Sequence, residues 1–166
     1  GSTTFYLKDT LPVSTSATSN PCILINGIWK YHPDDNSYPL DQWTSPDFND
    51  TSWEETISRL PMDSLPKGGW PGAGLFRLHL IVDSMLWNKP LAIYIVQKGA
   101  SEIYLDGKLI RKYGIVGSTG TAETGVNTLT THPGFVILSQ SAHVISVRFS
   151  SFSLLHNRPP GITDLG

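Results

Sequence analysis

The strongest constraint on the fold of this chain is the segment 99–110, which reads GASEIYLDGKLI. Its side chains alternate between two faces up to Asp106 and Gly107, and a second apolar stretch follows them. Asp-Gly is a preferred pair for the type I′ turn of a β-hairpin, because both central positions of that turn need a positive φ. The sequence therefore predicts a hairpin over 101–113.

Other regions also have the pattern of strands. Residues 76–83 alternate with a period of two, and residues 91–96 form a continuous apolar run, which predicts a strand covered on both faces. Residues 135–138 and 143–149 are predicted to form another strand pair. No amphipathic stretch of about twelve residues is present, so the chain is predicted to be an all-β antiparallel sandwich.

Length and composition indicate one globular domain. The chain has 166 residues, of which 39% are apolar and 16% are charged, which suits a single core and argues against disorder. We expect an extended lead-in over 1–21, one domain over 22–156, and over 157–166 the start of a linker to the rest of a longer protein.

Charge and cysteine content exclude several function classes. The net charge is −2 and no basic run occurs, so nucleic acid is not an expected partner. No apolar run approaches the roughly 20 residues of a membrane span, so this domain is not expected to insert into a membrane. Cys22 stands alone, which excludes an intrachain disulfide and a cysteine metal site.

Between His32 and Pro71, prolines alternate with short polar residues and aromatic rings. Such a segment is predicted to be folded but irregular, with its rings packed onto the domain and at most one helical turn, capped by Ser45 or by 50–52. Arg77 lies between inward-facing residues, so its guanidinium is expected to reach a neighbouring strand, a loop carbonyl or a carboxylate.

The oxygen-bearing side chains of this segment raise the question of a cation. Asp47, Asn49, Asp50 and Thr51 would offer ligands to Ca²⁺, but the spacing of an EF-hand loop is missing. Asx turns are the preferred interpretation and a structural calcium the alternative. No other metal and no cofactor is expected.

The sequence lacks the patterns of catalysis. No Gly-x-Ser-x-Gly elbow occurs, and the glutamates Glu54, Glu55, Glu102 and Glu123 are scattered rather than paired. The glycines of 114–120 precede neither a Lys-Ser/Thr pair nor a helix start, so they predict a loop and not a phosphate site. We expect no catalytic residues and no enzyme activity.

An ordered series of motifs resembles the jelly-roll domains of the galactose-binding-like group. The motifs are WKYHPDD at 29–35, WTSPDFNDTSW at 43–53, GLFR at 74–77, GASEIYLDGK at 99–108 and VRF at 147–149. Two versions of the group are most similar: the N-terminal sugar-binding domain of family 2 glycoside hydrolases, and the extracytoplasmic N-terminal domain of Bacteroidetes-type membrane sensors. The sensor version fits better around PLAIYI at 90–95 and GIVGS at 114–118.

The resemblance implies a non-catalytic sensory or ligand-binding domain of a bacterial signal-transduction protein, periplasmic or extracellular. A carbohydrate or another small molecule is the implied ligand, and a downstream membrane or signalling module is the implied partner. One alternative is an accessory sugar-binding domain of a family 2 type glycoside hydrolase. A second alternative is a structural or dimerisation domain.

Candidate ligand-binding residues come from the loop ends of the predicted sandwich. Trp70 lies in the glycine- and proline-rich stretch KGGWPGAG, which would present its ring to a sugar face, with packing as the alternative. Arg77, His32 and the loop 114–132 are expected to converge with it. Trp43 is a further candidate for the same reason as Trp70.

Overall fold

The computed structural model describes residues 4–7, 28–57, 66–93, 95, 97–127 and 134–152. Cys22, the predicted linker 157–166 and most of the predicted lead-in lie outside these residues. The elements are β1 (Thr4–Leu7), β2 (Ile28–Pro33), α1 (Leu40–Trp43), β3 (Glu54–Ile57), β4 (Ala73–Val82), β5 (Pro90–Ile93), β6 (Lys98–Leu105), β7 (Lys108–Tyr113), β8 (Val126–Asn127), β9 (Gly134–Ile137) and β10 (Ala142–Ser150).

The strands form two sheets. The larger has the order β3-β2-β4-β10-β6-β7, with β1 added to β4 and β8 to β6, and the smaller is the pair β5-β9. All pairings are antiparallel except that of β1 with β4. The predicted all-β sandwich is therefore confirmed. No helix among the described residues is long and apolar enough to span a membrane.

The hairpin predicted from Asp-Gly is formed by β6 and β7. Leu105 pairs with Lys108 across the turn, and Asp106 and Gly107 have φ values of 48° and 84°, as a type I′ turn requires. Asp106 also accepts the backbone N–H of Val144 at 2.8 Å. Local turn chemistry and a contact with β10 thus fix the same corner.

The predicted pairing of residues 135–138 with 143–149 is wrong. The strand β9 pairs with β5 in the small sheet, whereas β10 lies between β4 and β6 in the large one. The connection between β9 and β10 therefore passes from one sheet to the other instead of closing a hairpin.

The apolar run at 91–96 is not a strand covered on both faces over the part that the structure describes. The strand β5 ends at Ile93, with Ala92 exposed and Leu91 half-buried. Its partner β9 likewise exposes Phe135. Continuous hydrophobicity here marks a strand at the surface of the small sheet, with one face against the core.

Two local elements differ from what the sequence predicted. The lead-in contains β1, which runs parallel to the second half of β4. The helical turn of the irregular segment is α1, which follows Pro39 and not Ser45 or 50–52. The Thr44 hydroxyl closes it by donating to the Leu40 carbonyl at 2.7 Å. A 3₁₀ turn also occurs between β4 and β5, at Ser84–Leu86.

The core consists of two clusters on opposite faces of the large sheet. The first is mostly aliphatic and lies between the two sheets; it contains Trp29, Tyr31, Phe76, Leu78, Leu80, Val82, Leu86, Ile103, Tyr113, Val136, Leu138, Ile145 and Val147. The second contains Trp43, Trp53, Leu75 and Tyr104, with Tyr38 and Phe48 packed against it. Alternation along β4 and β6 sends neighbouring residues to different clusters.

Candidate ligand-binding site

Arg77 lies in β4 with 0% of its surface exposed. Its Nε donates to Asp50 Oδ2 at 2.7 Å, and Nη1 donates to the carbonyls of Ser45, at 3.0 Å, and Trp43. Nη2 lies 3.5 Å from the Phe48 carbonyl. The guanidinium thus donates hydrogen bonds to carbonyls of the irregular segment and holds that segment against the sheet. Its partners, loop carbonyls and a carboxylate, are of the types that the sequence predicted.

Asp50 shares this buried arrangement with His79, whose Nε2 lies 2.9 Å from Oδ2. Burial raises the pKa of Asp50, but the hydrogen bonds and charges of His79 and Arg77 outweigh it, so that the pKa lies below its ordinary value. The carboxylate therefore stays ionised and paired. The Arg77 side chain faces this segment and not solvent. A ligand-binding role for Arg77 stays a prediction.

Trp43 is also enclosed, with 2% of its surface exposed. Its ring meets that of Tyr104 edge-on at 6.0 Å between centroids and lies 6.5 Å from Trp53. The structure places Trp43 at the centre of the second cluster. Its role as a sugar platform likewise stays a prediction.

Trp70 is half-buried at the end of the first cluster. Its ring stacks on Phe76 at 6.1 Å and lies 6.2 Å from Tyr31, and its Nε1 donates to Ser151 Oγ at 2.8 Å. A Cβ at Gly74 would approach this ring to 3.0 Å, which explains a glycine there. The packing alternative for Trp70 is thus observed, and sugar binding by it stays a prediction.

His32 lies at the surface between two rings. Its imidazole meets Tyr38 edge-on at 5.0 Å and lies 5.3 Å from Trp53. Nδ1 is 2.7 Å from the Pro33 carbonyl, a contact in which the nitrogen must be the donor. Nε2 is then the ring nitrogen left to accept a hydrogen bond.

A depression of about 200 Å³ lies beside His32, where β2 and β3 meet the turn at 66–69. We call it the edge depression, since β3 and β2 form one edge of the large sheet. The residues that line it are Tyr31, His32, Pro33, Ser52, Trp53, Glu54, Pro66, Gly68, Gly69 and Pro71. Gly69 closes the turn with a φ of 76° and donates to the Pro66 carbonyl at 2.7 Å.

Two of the residues that line the edge depression each have an enclosed donor without a hydrogen-bond partner among the described residues, one in each core cluster. They are the Tyr31 hydroxyl and the Trp53 indole nitrogen, on side chains of residues that are 2% and 4% exposed. Leaving such a group unsatisfied costs about 1–3 kcal/mol. Native proteins therefore usually supply a partner, which is a protein group, a water or a ligand.

Glu54 adds an acceptor to the same wall, opposite Tyr31 in the strand pairing. Its Oε1 accepts the backbone N–H of Lys67 at 3.0 Å. Burial, and then the nearby Glu54 carboxylate, raises the pKa of Tyr31 to about 12. The phenol is therefore protonated at neutral pH, and Glu54 is the carboxylate among the described residues that line the depression.

Sequence reasoning found one member of this group, His32, and missed Tyr31, Trp53 and Glu54. The available signal was the WKYHPDD motif, which places Tyr31 on the inward face of β2 and pairs it with the start of β3. The lack of a partner for its hydroxyl is a property of the packed structure, which a strand pattern does not reveal.

The predicted convergence is met only in part. His32 and Trp70 both lie next to Tyr31, while Arg77 faces the irregular segment. The described part of the loop 114–132 reaches the end of β10, where the Gly117 N–H donates to Ser150 Oγ at 3.3 Å. His132 and the other residues from 128 on lie outside the described residues.

The predicted Asx turn forms in the segment considered for calcium. Asn49 Oδ1 accepts hydrogen bonds from the N–H and the hydroxyl of Thr51 at 3.1 and 2.7 Å. The Asp50 carboxylate pairs with Arg77 and His79. Over the described residues, no group of three His, Cys, Asp or Glu side chains is arranged to hold a metal ion.

Comparison with known proteins gives distant structural matches. No family model and no curated protein matches the chain. A β-glucuronidase from glycoside hydrolase family 2 is similar, with 18% identity and a TM-score of 0.46, over 74% of this chain and 13% of that enzyme. The Ruminococcus gnavus β-glucuronidase, solved with uronic isofagomine, has 12% identity and a TM-score of 0.44, over 76% of this chain and 20% of that enzyme.

The chain thus spans a fifth or less of the length of these enzymes. The resemblance to family 2 glycoside hydrolases predicted from the sequence is found again among solved structures. The resemblance to membrane sensors stays a prediction.

Proposed function

We propose that this chain is a non-catalytic ligand-binding domain that recognises a carbohydrate in the edge depression. We further propose that it serves as the extracytoplasmic sensory part of a longer membrane signalling protein. The first proposal draws its support from the site, and the second from the motif series alone.

The observation that carries the binding proposal is the lining of the edge depression, which combines the Glu54 carboxylate and His32 with aromatic and proline residues. A sugar hydroxyl donates to a carboxylate such as Glu54. The aromatic and proline surfaces of the same wall suit the apolar face of a pyranose ring.

The non-catalytic part of the proposal has its own support. Among the described residues that line the edge depression, Glu54 alone carries a carboxylate. Hydrolysis of a glycoside ordinarily needs two carboxyl groups roughly 5–10 Å apart, one of them on each side of the scissile bond. A single carboxylate fits binding better than bond cleavage.

A glycan array with a thermal-shift screen, followed by an NMR titration with the best glycan, tests the binding proposal. We expect saturable shifts at the edge depression, and binding about 2- to 10-fold weaker in Glu54→Gln, since an amide oxygen accepts a weaker hydrogen bond than a carboxylate does. Glu55→Gln is the matched control, because Glu55 is the next residue of β3, does not line the depression and pairs with Lys30 at 3.3 Å. No array hit, or shifts that map away from the edge depression, would overturn the proposal.

The coding sequence beyond Gly166 tests the sensory proposal. Membrane helices followed by a kinase, cyclase or phosphatase domain would support it. A catalytic barrel would contradict it and favour an accessory domain of a glycoside hydrolase.

A further inference from the structure

The residues at the end of β10 are held between two segments that lie far apart in the sequence. On one side, the Ser151 N–H donates to the Gly72 carbonyl at 2.8 Å. The Ser151 hydroxyl accepts a hydrogen bond from Trp70 Nε1, also at 2.8 Å. Two hydrogen bonds therefore join this strand end to the segment 66–72, which leads into β4 and supplies part of the wall of the edge depression.

On the other side, the same strand end contacts the loop 115–124. The Phe152 N–H donates to Glu123 Oε2 at 2.9 Å, and the Gly117 N–H donates to Ser150 Oγ at 3.3 Å. Three consecutive residues thus divide their hydrogen bonds between the two segments.

The loop 115–124 is closed at its base and packed within itself. Ile115 and Thr124 exchange both backbone hydrogen bonds, at 2.9 and 3.0 Å. A Cβ at Gly117 would lie 2.6 Å from the backbone nitrogen of Glu123, so the two loop residues that bond to the strand end are in close contact. A displacement of one of them therefore displaces the other.

The Phe152 side chain also connects the two sides. A Cβ at Gly72 would overlap with the Phe152 ring, so this ring packs directly on the glycine backbone. Gly72 has a φ of 102°, which a residue with a side chain rarely adopts. The residue that bonds to the loop through its N–H thus contacts the segment 66–72 through its ring.

Burial makes this arrangement cooperative. Ser150 is 0% exposed and Ser151 is 4% exposed. A small movement of either segment would break a hydrogen bond without admitting water, and an enclosed donor or acceptor without a partner is unfavourable. The strand end is therefore either held by both segments or released from both, as in a local opening reaction.

We propose that residues 150–152 are a conformational latch that couples the segment 66–72 to the loop 115–124, so that release on one side releases the other. A displacement of the segment 66–72 at the edge depression is then transmitted to the end of β10 and to the loop. This coupling is a property of the fold, and it does not depend on which ligand the edge depression binds.

Amide hydrogen exchange followed by NMR on the full chain tests the latch. The reporters are the N–H groups of Ser151, Phe152 and Gly117 and the Trp70 indole N–H, each of which donates to a partner in the latch. The Leu78 amide, in the centre of the large sheet, corrects for global unfolding, because core strands exchange only when the whole domain opens.

Trp70→Phe removes the donor to Ser151 and keeps an aromatic ring. We expect exchange to become about 2- to 10-fold faster at Ser151, which corresponds to the loss of one hydrogen bond, and faster by a similar factor at Gly117 on the other side. Trp87→Phe is the matched control. Its indole donates to the Val82 carbonyl at 3.2 Å, outside the latch, so its loss should leave the reporters at their wild-type rates.

Glu123→Ala tests the coupling from the side of the loop. It removes the acceptor of the Phe152 N–H, and we expect the Trp70 indole N–H to exchange about 2- to 10-fold faster as well. Asp83→Ala is the matched control, because its carboxylate also accepts a backbone N–H, that of Met85 at 2.9 Å, outside the latch.

The outcomes separate a latch from two independent contacts. Faster exchange at Ser151 in Trp70→Phe, with Gly117 unchanged, would overturn the coupling. Equal acceleration in a variant and in its control would overturn it too. Because these measurements use no sugar, their failure leaves the carbohydrate proposal standing, and a failed glycan array leaves the latch standing.

Discussion

The two faces of the large sheet are covered by different kinds of structure. On one face, aliphatic side chains pack beneath the regular pair β5-β9. On the other, a proline-rich segment with one short helix holds Trp43 and Trp53 against Leu75 and Tyr104. A regular strand satisfies its backbone through its partner, but an irregular segment must find other donors for its carbonyls.

Adjacent residues of β4 illustrate the difference. Leu78 and Arg77 are both 0% exposed, yet Leu78 contributes only apolar surface to the first cluster. Arg77 donates to carbonyls of Trp43 and Ser45 and pairs with Asp50. The irregular segment has no neighbouring strand to donate hydrogen bonds to its carbonyls. The Arg77 guanidinium supplies those donors instead.

Of the variants that test this comparison, Arg77→Met is expected to lower the stability most. It leaves Asp50 buried beside His79 without its arginine partner and leaves several carbonyls without donors, so we expect a loss of about 3–5 kcal/mol in the free energy of unfolding. Urea titration followed by tryptophan fluorescence and far-UV circular dichroism measures it.

Arg148→Met is the control for Arg77→Met. Arg148 also forms an ion pair, with Asp34 at 2.7 Å, but 27% of its side chain is exposed, so the loss should be clearly smaller. Equal losses in the two variants would contradict the special role given to Arg77.

Leu78→Ala tests the first face and should cost somewhat less, about 3 kcal/mol, through the cavity that it leaves. The two variants should also differ in kind. Leu78→Ala should retain the near-ultraviolet circular dichroism of the native tryptophans below its transition, whereas Arg77→Met should weaken that signal by loosening Trp43 and Trp53. If both variants keep the native signal, the segment is held by its rings alone.

The sequence predicts best where structure is local. The Asp106-Gly107 turn needs only its own backbone angles, and they occur as predicted. The polar partners of Arg77 were predicted by type, because an inward-facing guanidinium has few alternatives to carbonyls and carboxylates. Which carbonyls it meets depends on how the irregular segment folds back, and no periodicity encodes that.

Sheet membership was harder to predict than strand existence. Residues 135–138 and 143–149 are close in sequence, which favours a hairpin, but they lie in different sheets. The apolar run at 91–96 suggested a central strand, although β5 belongs to a surface pair. Both errors have one cause: hydrophobicity tells that a strand meets the core, and it does not tell which strand lies beside it.

The edge depression shows the same limit for the site. Aromatic residues near glycine and proline directed attention to Trp70, whose indole nitrogen is in fact bonded to Ser151. Among the aromatic residues that the structure describes, the unpartnered donors belong to Trp29, Tyr31 and Trp53, which alternation and composition assign to the core. Only the packed structure separates a core ring whose polar atom is satisfied from one whose polar atom is not.

Acidification is expected to have the smallest effect on stability, and it tests the face that contains Asp50. The hydrogen bonds and charges of His79 and Arg77 outweigh burial and hold the pKa of Asp50 below its ordinary value, so the folded state favours the ionised form. The stabilisation from Asp50 is then complete above the pKa of the unfolded chain, near 4, and is lost as pH falls through the lower pKa of the folded state. The free energy of unfolding should therefore decrease below about pH 4.

Urea titrations between about pH 7 and pH 2.5 should show this decrease at full size in Leu78→Ala, which leaves the Asp50 arrangement intact. Asp50→Asn should be less stable at neutral pH and should lose less on acidification, because the titrating group is gone. Part of the decrease should remain in it, since the pKa of Glu102 is also lowered: burial raises it, but Lys112 and Tyr104 outweigh that effect. An acid profile in Asp50→Asn as steep as that of the wild type would mean that the covering segment is not held by this carboxylate.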